Sequence, residues 1–234
     1  INVENSANGP LLIKYSIEKK EESHMWYGDG KIHYNFFSYK GTINIECALL
    51  KGIHNISNAM AASAASLIYG ADPEKTGRSI RDFKPLGHRM EYLGEIAGIR
   101  CINDSKSTNP DSTAAALKDY SKEVTLIMGG KDKDMDFMVL AASLKSAVND
   151  LILIGESASR IEGILKGRKD AYNIYRCKSL EEAVRLGFSV TVSGDVLLLS
   201  PACASMDMFR DYKDRGDRFK NIVMSFKEQQ WKNR

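Results

Sequence analysis

The amino-acid sequence predicts an α/β protein in which residues 86–234 form a Rossmann-like domain around a mostly parallel sheet. After residue 86, short apolar runs that end in Gly, Ser or Asp alternate with segments of helical periodicity. Strands that alternate with helices of this length are typical of right-handed βαβ units. The sequence pattern before residue 86 is different, because residues 1–85 combine β-rich segments with an Ala-rich helix. We therefore predict two pieces, a partial α+β domain and a Rossmann-like domain.

Composition and charge limit the classes of protein to which the chain can belong. Of its 234 residues, 43% are apolar and 27% are charged, so the chain can bury a core and is not disordered. A net charge of +3 is too small to indicate a nucleic-acid surface. The longest small and apolar stretch, Ala59–Ala71, is too short to cross a bilayer.

The cysteines and histidines show no pattern of a metal site. The four cysteines are Cys47, Cys101, Cys177 and Cys203. They form no CxxC pair, and no histidine is spaced to complete a zinc site with them. We expect reduced thiols and a cytoplasmic location. The four histidines form no HxH or HExxH pattern, so metal ligation by histidine is not predicted.

Residues 1–85 carry the signals of several strands followed by two helices. Gly28-Asp29-Gly30-Lys31 separates two apolar runs and predicts a β-hairpin. Gly70 closes the Ala-rich helix, and Pro73 lies in the first turn of the next one. The predicted strands are Leu11–Lys19, Met25–Tyr27, Ile32–Phe37 and Thr42–Leu49, and the predicted helices are Asn58–Tyr69 and Asp72–Arg81.

A linker at Phe83–His88, which contains Pro85 and Gly87, leads into the second piece. Its predicted strands are Arg100–Asp104, Val124–Gly130, Leu151–Gly155, Tyr172–Tyr175 and Val196–Ser200. Its predicted helices are Thr113–Tyr120, Phe137–Val148, Ser157–Leu165, Leu180–Val192 and an amphipathic final helix from Met206 to about Phe226.

Three of these strands end in unusually polar loops, at residues 103–109, 129–134 and 200–205. In an open α/β sheet, ligands gather beyond the carboxyl ends of the strands. Hydroxyls, ammonium groups and backbone N–H donors at one sheet edge favour an anionic small molecule. Taken singly, each loop is better explained as an ordinary turn with a capping Ser, Asn or Asp than as a site. The coincidence of three such loops is what favours a binding site.

Two absences narrow the choice of ligand. Gly129-Gly130 is not part of a GxGxxG fingerprint, so a dehydrogenase is disfavoured. The sequence contains no GxxxxGK[ST], and therefore no Walker-type cradle for a triphosphate. If the protein uses ATP, we expect the triphosphate clamp to come from outside these 234 residues.

The sequence resembles the Mur ligases of peptidoglycan synthesis from about residue 50 onward. The resemblance is carried by Gly52–Ala59, His88-Arg89-Met90-Glu91, Asn103–Asn109, Gly129–Lys133, Leu199–Ser205 and Arg215-Gly216, which occur in the order of the family. Together these blocks are far more specific than any one of them. The loops Asp104–Asn109 and Ser200–Ser205 are most similar to those of the members that add D-glutamate.

The resemblance implies an ATP-dependent, Mg²⁺-requiring amide ligase. In that family, ATP phosphorylates the carboxylate of UDP-N-acetylmuramoyl-L-alanine, and the amine of D-glutamate attacks the acyl phosphate. Residues 1–85 would then be the C-terminal part of the central ATPase domain, and residues 86–234 the Rossmann-like C-terminal domain. The P-loop and most metal ligands of the family have no counterpart here. Because the chain also begins at Ile1 rather than Met, we expect a piece of a longer protein that does not turn over alone.

Roles for individual residues are carried over by motif. The resemblance implies that Asn55 and Asn58 face the adenine, Arg89 the nucleotide phosphate and Asp104 the ribose hydroxyls. It places Lys106 near the reacting phosphate. The residues implied for D-glutamate are Thr108, Lys133, Ser205 and Tyr212.

Alternatives remain open at several of these positions. Asn55 and Asn58 could cap the Ala-rich helix, and Tyr212 could be plain core of the final helix. Lys131 could replace Lys133 by a short shift of register. For the whole chain, the alternatives are a standalone, non-catalytic ligand-binding module and a ligase like the folylpolyglutamate synthetases.

Overall fold

The computed structural model describes residues 12–46, 53–84, 86–165 and 171–232. The chain divides into two compact units, Ile1–Pro85 and Leu86–Arg234, which we call unit 1 and unit 2. Each unit is described by itself. Among the described residues, no helix combines the length and the apolar character needed to cross a membrane.

Unit 1 consists of a four-stranded sheet and two helices. Its strands, in the order β1-β2-β3-β4, are β1 (Tyr15–Ser16), β2 (Met25–Gly28), β3 (Lys31–Phe36) and β4 (Tyr39–Asn44). Its helices are α1 (Ile53–Ile68) and α2 (Pro73–Arg81). The hairpin turn between β2 and β3 has Asp29 at φ 52° and Gly30 at φ 72°. Two positive φ angles define a type I′ turn, which explains why Asp-Gly is favoured here.

Helix α1 begins at Ile53, five residues before the predicted start. Asn55 and Asn58 therefore lie inside the helix, and the alternative that they cap it is wrong. The helix packs on the sheet through Met60 and Leu67, which share a buried cluster with Met25 on β2. The Asp72 side chain caps α2 by accepting a hydrogen bond from the Lys75 N–H at 2.9 Å, as its position before Pro73 suggests.

The first and last strands predicted in unit 1 differ from those observed. The strand predicted at Leu11–Lys19 is reduced to β1, and Leu11 lies outside the described residues. The strand predicted at Thr42–Leu49 begins earlier, at Tyr39, and ends at Asn44. Residues 47–52, which include Cys47, and Pro85 of the linker also lie outside the described part of the chain.

Unit 2 is a six-stranded sheet with helices on both faces. Its strands are β5 (Glu91–Ile96), β6 (Ile99–Asn103), β7 (Val124–Gly129), β8 (Val148–Ile154), β9 (Asn173–Arg176) and β10 (Val196–Leu199). Its helices are α3 (Pro110–Leu117), α4 (Ala141–Ala147), α5 (Ala158–Leu165), α6 (Leu180–Val190) and α7 (Tyr212–Lys232). The strand order is β5-β6-β10-β7-β8-β9.

The sheet of unit 2 is parallel except at one edge, which confirms the predicted fold class. Strands β6, β10, β7, β8 and β9 are parallel, whereas β5 pairs antiparallel with β6. Along β7 every residue is buried, with Leu126 and Met128 facing one core cluster and Ile127 the other. Burial of both faces is typical of parallel strands covered by helices.

Strand β5 has no counterpart in the sequence prediction. A register irregularity between Tyr92 and Gly94 interrupts its pairing with β6, and Gly94 has φ 119°. A bulge of this kind breaks the two-residue alternation that identifies a half-buried strand. The signal of β5 in the sequence is therefore weak.

Three helices of unit 2 differ clearly from the prediction. Helix α3 begins at Pro110 rather than Thr113 and ends at Leu117 rather than Tyr120. The segment predicted as one helix over Phe137–Val148 is a 3₁₀ turn, Phe137–Leu140, followed by α4, and Val148 already belongs to β8. The final helix begins at Tyr212 rather than Met206. The Asp211 carboxylate accepts hydrogen bonds from the N–H groups of Lys213 and Asp214, both at 2.8 Å, and so caps the helix at that point.

Candidate functional site

The carboxyl ends of β6, β10 and β7 lie side by side, because these three strands are neighbours in the parallel sheet. The polar loops that follow them, at residues 104–109, 200–211 and 130–136, therefore meet at one edge. Backbone hydrogen bonds join two of the loops directly. The N–H of Gly129 donates to the oxygen of Pro201, and the N–H of Lys131 to that of Ala204, each at 2.8 Å. This edge is the candidate site.

Asp104, immediately after β6, is the centre of a buried hydrogen-bond network. Its Oδ2 accepts from the hydroxyls of Ser107 at 2.5 Å and Ser200 at 2.8 Å. Its Oδ1 accepts from the N–H of Met90 at 3.2 Å. Ser200 in turn lies 3.0 Å from the Thr113 hydroxyl on α3. The network thus connects the ends of β6 and β10 with α3.

Asp104 is only 2% exposed. Burial raises the pKa of its carboxyl, although the hydrogen bonds from Ser107, Ser200 and Met90 and the charge of Arg89 oppose that shift. Arg89 itself is exposed. Among the described residues, Oδ1 of Asp104 accepts one hydrogen bond and Oδ2 accepts two, so Oδ1 is the oxygen with more capacity to accept a further hydrogen bond.

Arg215 on α7 joins two of the loops, although sequence reasoning assigned it no role. Its side chain is 0% exposed. The guanidinium donates to the Ser105 hydroxyl at 2.9 Å, to the Ser105 backbone oxygen at 2.8 Å and to the Cys203 backbone oxygen at 3.0 Å. Burial lowers the pKa of Arg215 to about 10. The Ser105 hydroxyl also donates to the backbone oxygen of Tyr212 at 2.7 Å, so the start of α7 is tied to the β6 loop.

Lys106 and Tyr212, predicted separately as site residues, are in contact. The Lys106 ammonium lies 4.1 Å from the centroid of the Tyr212 ring, which is the geometry of a cation–π interaction. The same ring stands edge-on to His88 at 6.2 Å. Tyr212 is half-buried at the first residue of α7, so the alternative that it is plain core is wrong. Thr108 is also half-buried, next to the α3 cap Asn109.

A second polar cluster surrounds Asn103, the last residue of β6. Nδ2 of the fully buried Asn103 lies 3.0 Å from Nδ1 of His88 and 3.2 Å from Oε2 of Glu91. Burial opposes ionisation of Glu91, but a hydrogen bond from Lys220 and the His88 N–H lower its pKa below the usual range. Gly216 packs against this cluster, because a Cβ there would lie 2.3 Å from Nδ1 of His88.

The loop after β7 contains the two lysines between which the sequence did not decide. The Lys131 ammonium lies 2.8 Å from Oε2 of Glu156, and this hydrogen bond raises the pKa of Lys131. Lys133 is exposed, and within the described residues no ion pair or side-chain hydrogen bond engages it. Of the two ammonium groups, that of Lys133 is therefore the one without an ion pair among the described residues.

Gly130 allows the loops after β7, β8 and β10 to approach closely. Its φ is 143°, and a Cβ there would lie 2.3 Å from the backbone oxygen of Ala204. Its N–H donates to the Ser157 hydroxyl at 3.1 Å, and that hydroxyl lies 3.3 Å from the Cys203 sulfur. Burial raises the pKa of Cys203 to about 11, so the thiol is neutral at pH 7. Ser205, next along the β10 loop, is 3% exposed.

Asn55 and Asn58 lie in unit 1, on α1, whereas all other predicted site residues lie in unit 2. A spacing of three residues places both amides on one side of the helix. Asn58 is exposed and Asn55 half-buried. Within the described residues, no three His, Cys, Asp or Glu side chains gather in a metal-binding arrangement. We therefore assign no Mg²⁺ ligand to the described residues.

The side chains that hold the loops of the candidate site, and that sequence reasoning missed, share one property. Glu156, Arg160 and Ser157 lie after β8, and Arg215 lies on α7, yet each of them bonds to a loop that is distant in the sequence. No local pattern marks such residues. Only the Arg215-Gly216 pair belongs to a block that carried the family resemblance.

Comparison with protein families gives a match over the larger part of unit 2. Residues 88–203 match the family described as Mur ligase, glutamate ligase domain. This segment runs from His88 through the loops after β6 and β7 to Cys203, and so contains most of the candidate site.

Curated proteins with similar sequences share one description. The chain is 40% identical over 212 residues to the UDP-N-acetylmuramoylalanine–D-glutamate ligase of Geotalea daltonii, covering 91% of this chain and 46% of that protein. It is 38% identical over 218 residues to the protein of the same name from Pelotomaculum thermopropionicum, covering 93% and 48% respectively. The chain thus spans about half the length of these curated relatives.

Solved structures with a similar fold are more distant in sequence. The murein peptide ligase of Psychrobacter arcticus is 15% identical with a TM-score of 0.61, covering 92% of this chain and 45% of that one. The UDP-N-acetylmuramate-alanine ligase MurC of Thermotoga maritima is 18% identical with a TM-score of 0.60, covering 88% and 47%. At these identities the likeness concerns the fold alone.

Proposed function

We propose that the chain is part of an ATP-dependent ligase of peptidoglycan synthesis, because residues 88–203 match the family described as Mur ligase, glutamate ligase domain. The reaction we propose is the addition of D-glutamate to UDP-N-acetylmuramoyl-L-alanine. The support is the name shared by relatives about 40% identical over most of this chain. The structural observation that carries the proposal is the Lys133 ammonium at the carboxyl edge of the sheet, which has no ion pair among the described residues.

The proposed reaction has two steps, a phosphoryl transfer and an acyl transfer. The carboxylate oxygen of UDP-N-acetylmuramoyl-L-alanine attacks the γ-phosphorus of ATP and releases ADP. The amine nitrogen of D-glutamate then attacks the acyl carbon, forms the amide bond, loses a proton and expels phosphate. Mg²⁺ would neutralise part of the charge on the phosphates, with its ligands outside the residues described here.

D-Glutamate presents two carboxylates, while its amine must stay free and neutral to attack. In the proposed site, the Lys133 ammonium and the hydroxyls of Thr108 and Ser205 would bind the two carboxylates. These three residues lie on three adjacent loops. Tyr212 would close one side of the site. Lys131 does not compete for the carboxylates, because Glu156 already neutralises it at 2.8 Å.

The nucleotide side of the reaction is assigned to other residues. We propose that the amides of Asn55 and Asn58 pair with the adenine, for which they offer donors and acceptors. Arg89 would bind the nucleotide phosphate, and Oδ1 of Asp104 would accept from a ribose hydroxyl. Lys106, held over the Tyr212 ring, would stabilise charge on the reacting phosphate.

Replacing Lys133 by Ala in the full-length protein tests the D-glutamate site. A charge-assisted hydrogen bond contributes about 1.5–3 kcal/mol, so the KM for D-glutamate should rise about ten- to a hundred-fold. The KM for ATP should stay within about two-fold, because Lys133 touches no proposed nucleotide group. Steady-state kinetics with each substrate varied in turn gives both values.

The matched control is Lys131→Ala, which removes the same side chain two residues away. Since Lys131 is paired with Glu156, its loss should change the KM for D-glutamate by less than about three-fold. If Lys131→Ala raises this KM and Lys133→Ala does not, the two lysines are assigned in the wrong order. If neither variant affects it, the D-glutamate site as a whole is wrong.

A further inference from the structure

The loop after β7 is held by one side chain from a distant helix. Arg160 on α5 places Nη1 2.6 Å from Oδ1 of Asp132 and donates through Nη2 to the backbone oxygen of Met135 at 3.0 Å. The two bonded residues stand on either side of Lys133 in the sequence. One guanidinium is therefore hydrogen-bonded to both ends of the short segment Asp132–Met135, which we call the lysine arch.

The lysine arch is also stabilised from within. Oδ1 of Asp132 accepts a hydrogen bond from the N–H of Asp134 at 2.9 Å, which closes a turn around Lys133. Asp134 itself has φ 56°, in the left-handed region. The same oxygen, Oδ1 of Asp132, therefore accepts both the hydrogen bond that closes the turn and the one from Arg160. Without the guanidinium, the carboxylate that forms the turn would lose its anchor to α5.

The guanidinium is itself held in place by packing. Its central carbon lies 5.4 Å from the centroid of the Phe137 ring, and Phe137 is fully buried. A planar guanidinium fits this position because it can stack on the ring and still donate in two directions. A lysine has a single nitrogen in place of the two that bond to Asp132 and Met135, so it could bind Asp132 but would not also donate to the Met135 oxygen.

Arg160 also changes the charge that a ligand of Lys133 would meet. Asp132 is adjacent to Lys133, and its carboxylate would repel a dicarboxylate ligand or pair with Lys133 itself. Pairing with Arg160 neutralises Asp132 and leaves Lys133 without an ion pair among the described residues. Both effects, positioning and charge, favour binding of an anion by Lys133.

We infer that Arg160 is a positioning residue that presents Lys133 to the carboxylate of D-glutamate. The inference rests on the proposed function, because it assumes that Lys133 binds this substrate. The proposed function gives Arg160 no contact with substrate or nucleotide, so we expect its effect to be transmitted through the lysine arch.

The test is the kinetics of Arg160→Ala in the full-length protein. Loss of the ion pair and of the fixed arch should raise the KM for D-glutamate about two- to ten-fold. The KM for ATP and kcat should each stay within about two-fold. Arg160→Lys should give an intermediate KM for D-glutamate, since it restores the charge beside Asp132 but not the bond to Met135. The control is Arg176→Ala, because Arg176 pairs with Glu162 of the same helix and does not touch the arch.

A double variant decides whether Arg160 acts through Lys133. If it does, adding Arg160→Ala to Lys133→Ala should raise the KM for D-glutamate by less than about two-fold beyond Lys133→Ala alone. Independent, multiplicative effects would overturn the inference, as would an equal effect of Arg176→Ala. An effect of Lys133→Ala without any effect of Arg160→Ala overturns this inference only. No effect of Lys133→Ala overturns the proposed function as well.

Discussion

The guanidinium of Arg215 and the backbone oxygen of Ser105 are joined by a 2.8 Å hydrogen bond, although 110 positions separate them in the sequence. The same guanidinium donates to the backbone oxygen of Cys203. Arg215 therefore holds together the loops after β6 and β10, on which the proposed ligands Lys106, Thr108 and Ser205 lie. Its three acceptors are a hydroxyl and two carbonyl groups rather than a carboxylate.

Replacing Arg215 by Ala should strongly destabilise the protein. The variant leaves the buried oxygens of Ser105 and Cys203 without donors, and each such loss costs about 1–3 kcal/mol. We expect the free energy of unfolding to fall by about 2–5 kcal/mol in urea titrations. Arg218→Ala is the matched control, because the Arg218 side chain is exposed, with an ion pair to Asp214 and a contact with the Phe209 ring, so its loss should cost less than about 1 kcal/mol. Equal losses in the two variants would contradict the role given to Arg215.

Replacing Gly130 by Ala should separate the loops that meet at the site. The new Cβ would lie 2.3 Å from the Ala204 oxygen, at a φ of 143° that an alanine rarely adopts. A loss of about 2–4 kcal/mol in the free energy of unfolding is expected. Gly163→Ala on α5 meets nothing within 4 Å and should instead stabilise by about 0.5–1 kcal/mol. A neutral Gly130→Ala would show that the loops can move apart freely.

The buried Asp104 should give the stability of the protein a defined pH dependence. Because burial raises its pKa in the folded state, Asp104 contributes stability below the ordinary pKa of an aspartate. That contribution is lost as the pH rises through the raised pKa. Asp104→Asn removes this titration, so the free energy of unfolding of the unmodified protein, relative to that of the variant, should fall as the pH rises above the ordinary pKa of an aspartate, about 4. Urea titrations of both proteins from this pH upward give the difference. A difference that grows with pH would show that the hydrogen bonds to Asp104 outweigh its burial.

The polypeptide of residues 1–234 should not release ADP by itself. Its sequence contains no GxxxxGK[ST], and phosphoryl transfer depends on a preorganised clamp for the triphosphate. A coupled ADP assay with ATP, D-glutamate and UDP-N-acetylmuramoyl-L-alanine checks this, with the full-length protein as positive control. ADP release by the short polypeptide that depends on both other substrates would contradict the expectation.

Much of the fold follows from local sequence signals. Asp29-Gly30 specifies a type I′ turn through its two positive φ angles, and Asp72 before Pro73 starts a helix. Apolar runs separated by helical segments specify parallel strands whose ends share one edge. For that reason, the sequence already indicated that the loops carrying Lys106, Lys133 and Ser205 belong together.

Other features depended on packing between distant segments. The last strand, β10, inserts between β6 and β7, and this order brings the Ser200 hydroxyl to Asp104. The bulged β5 is recognisable only through its pairing with β6. Likewise, the start of the final helix is decided by the Asp211 cap rather than by its apolar periodicity, which extends further.

The sequence by itself determined the fold class, the family resemblance and the residue types at the site, because turns, caps and periodicity depend on near neighbours. Only the tertiary structure distinguishes the two lysines, because among the described residues Lys131 has an ion pair and Lys133 has none. Lys131 and Lys133 lie two residues apart on one loop, and the difference between them comes from Glu156 on another loop and from Arg160 on α5. Such pairs form where packing brings opposite charges within about 3 Å, and no short-range pattern in the sequence encodes that distance.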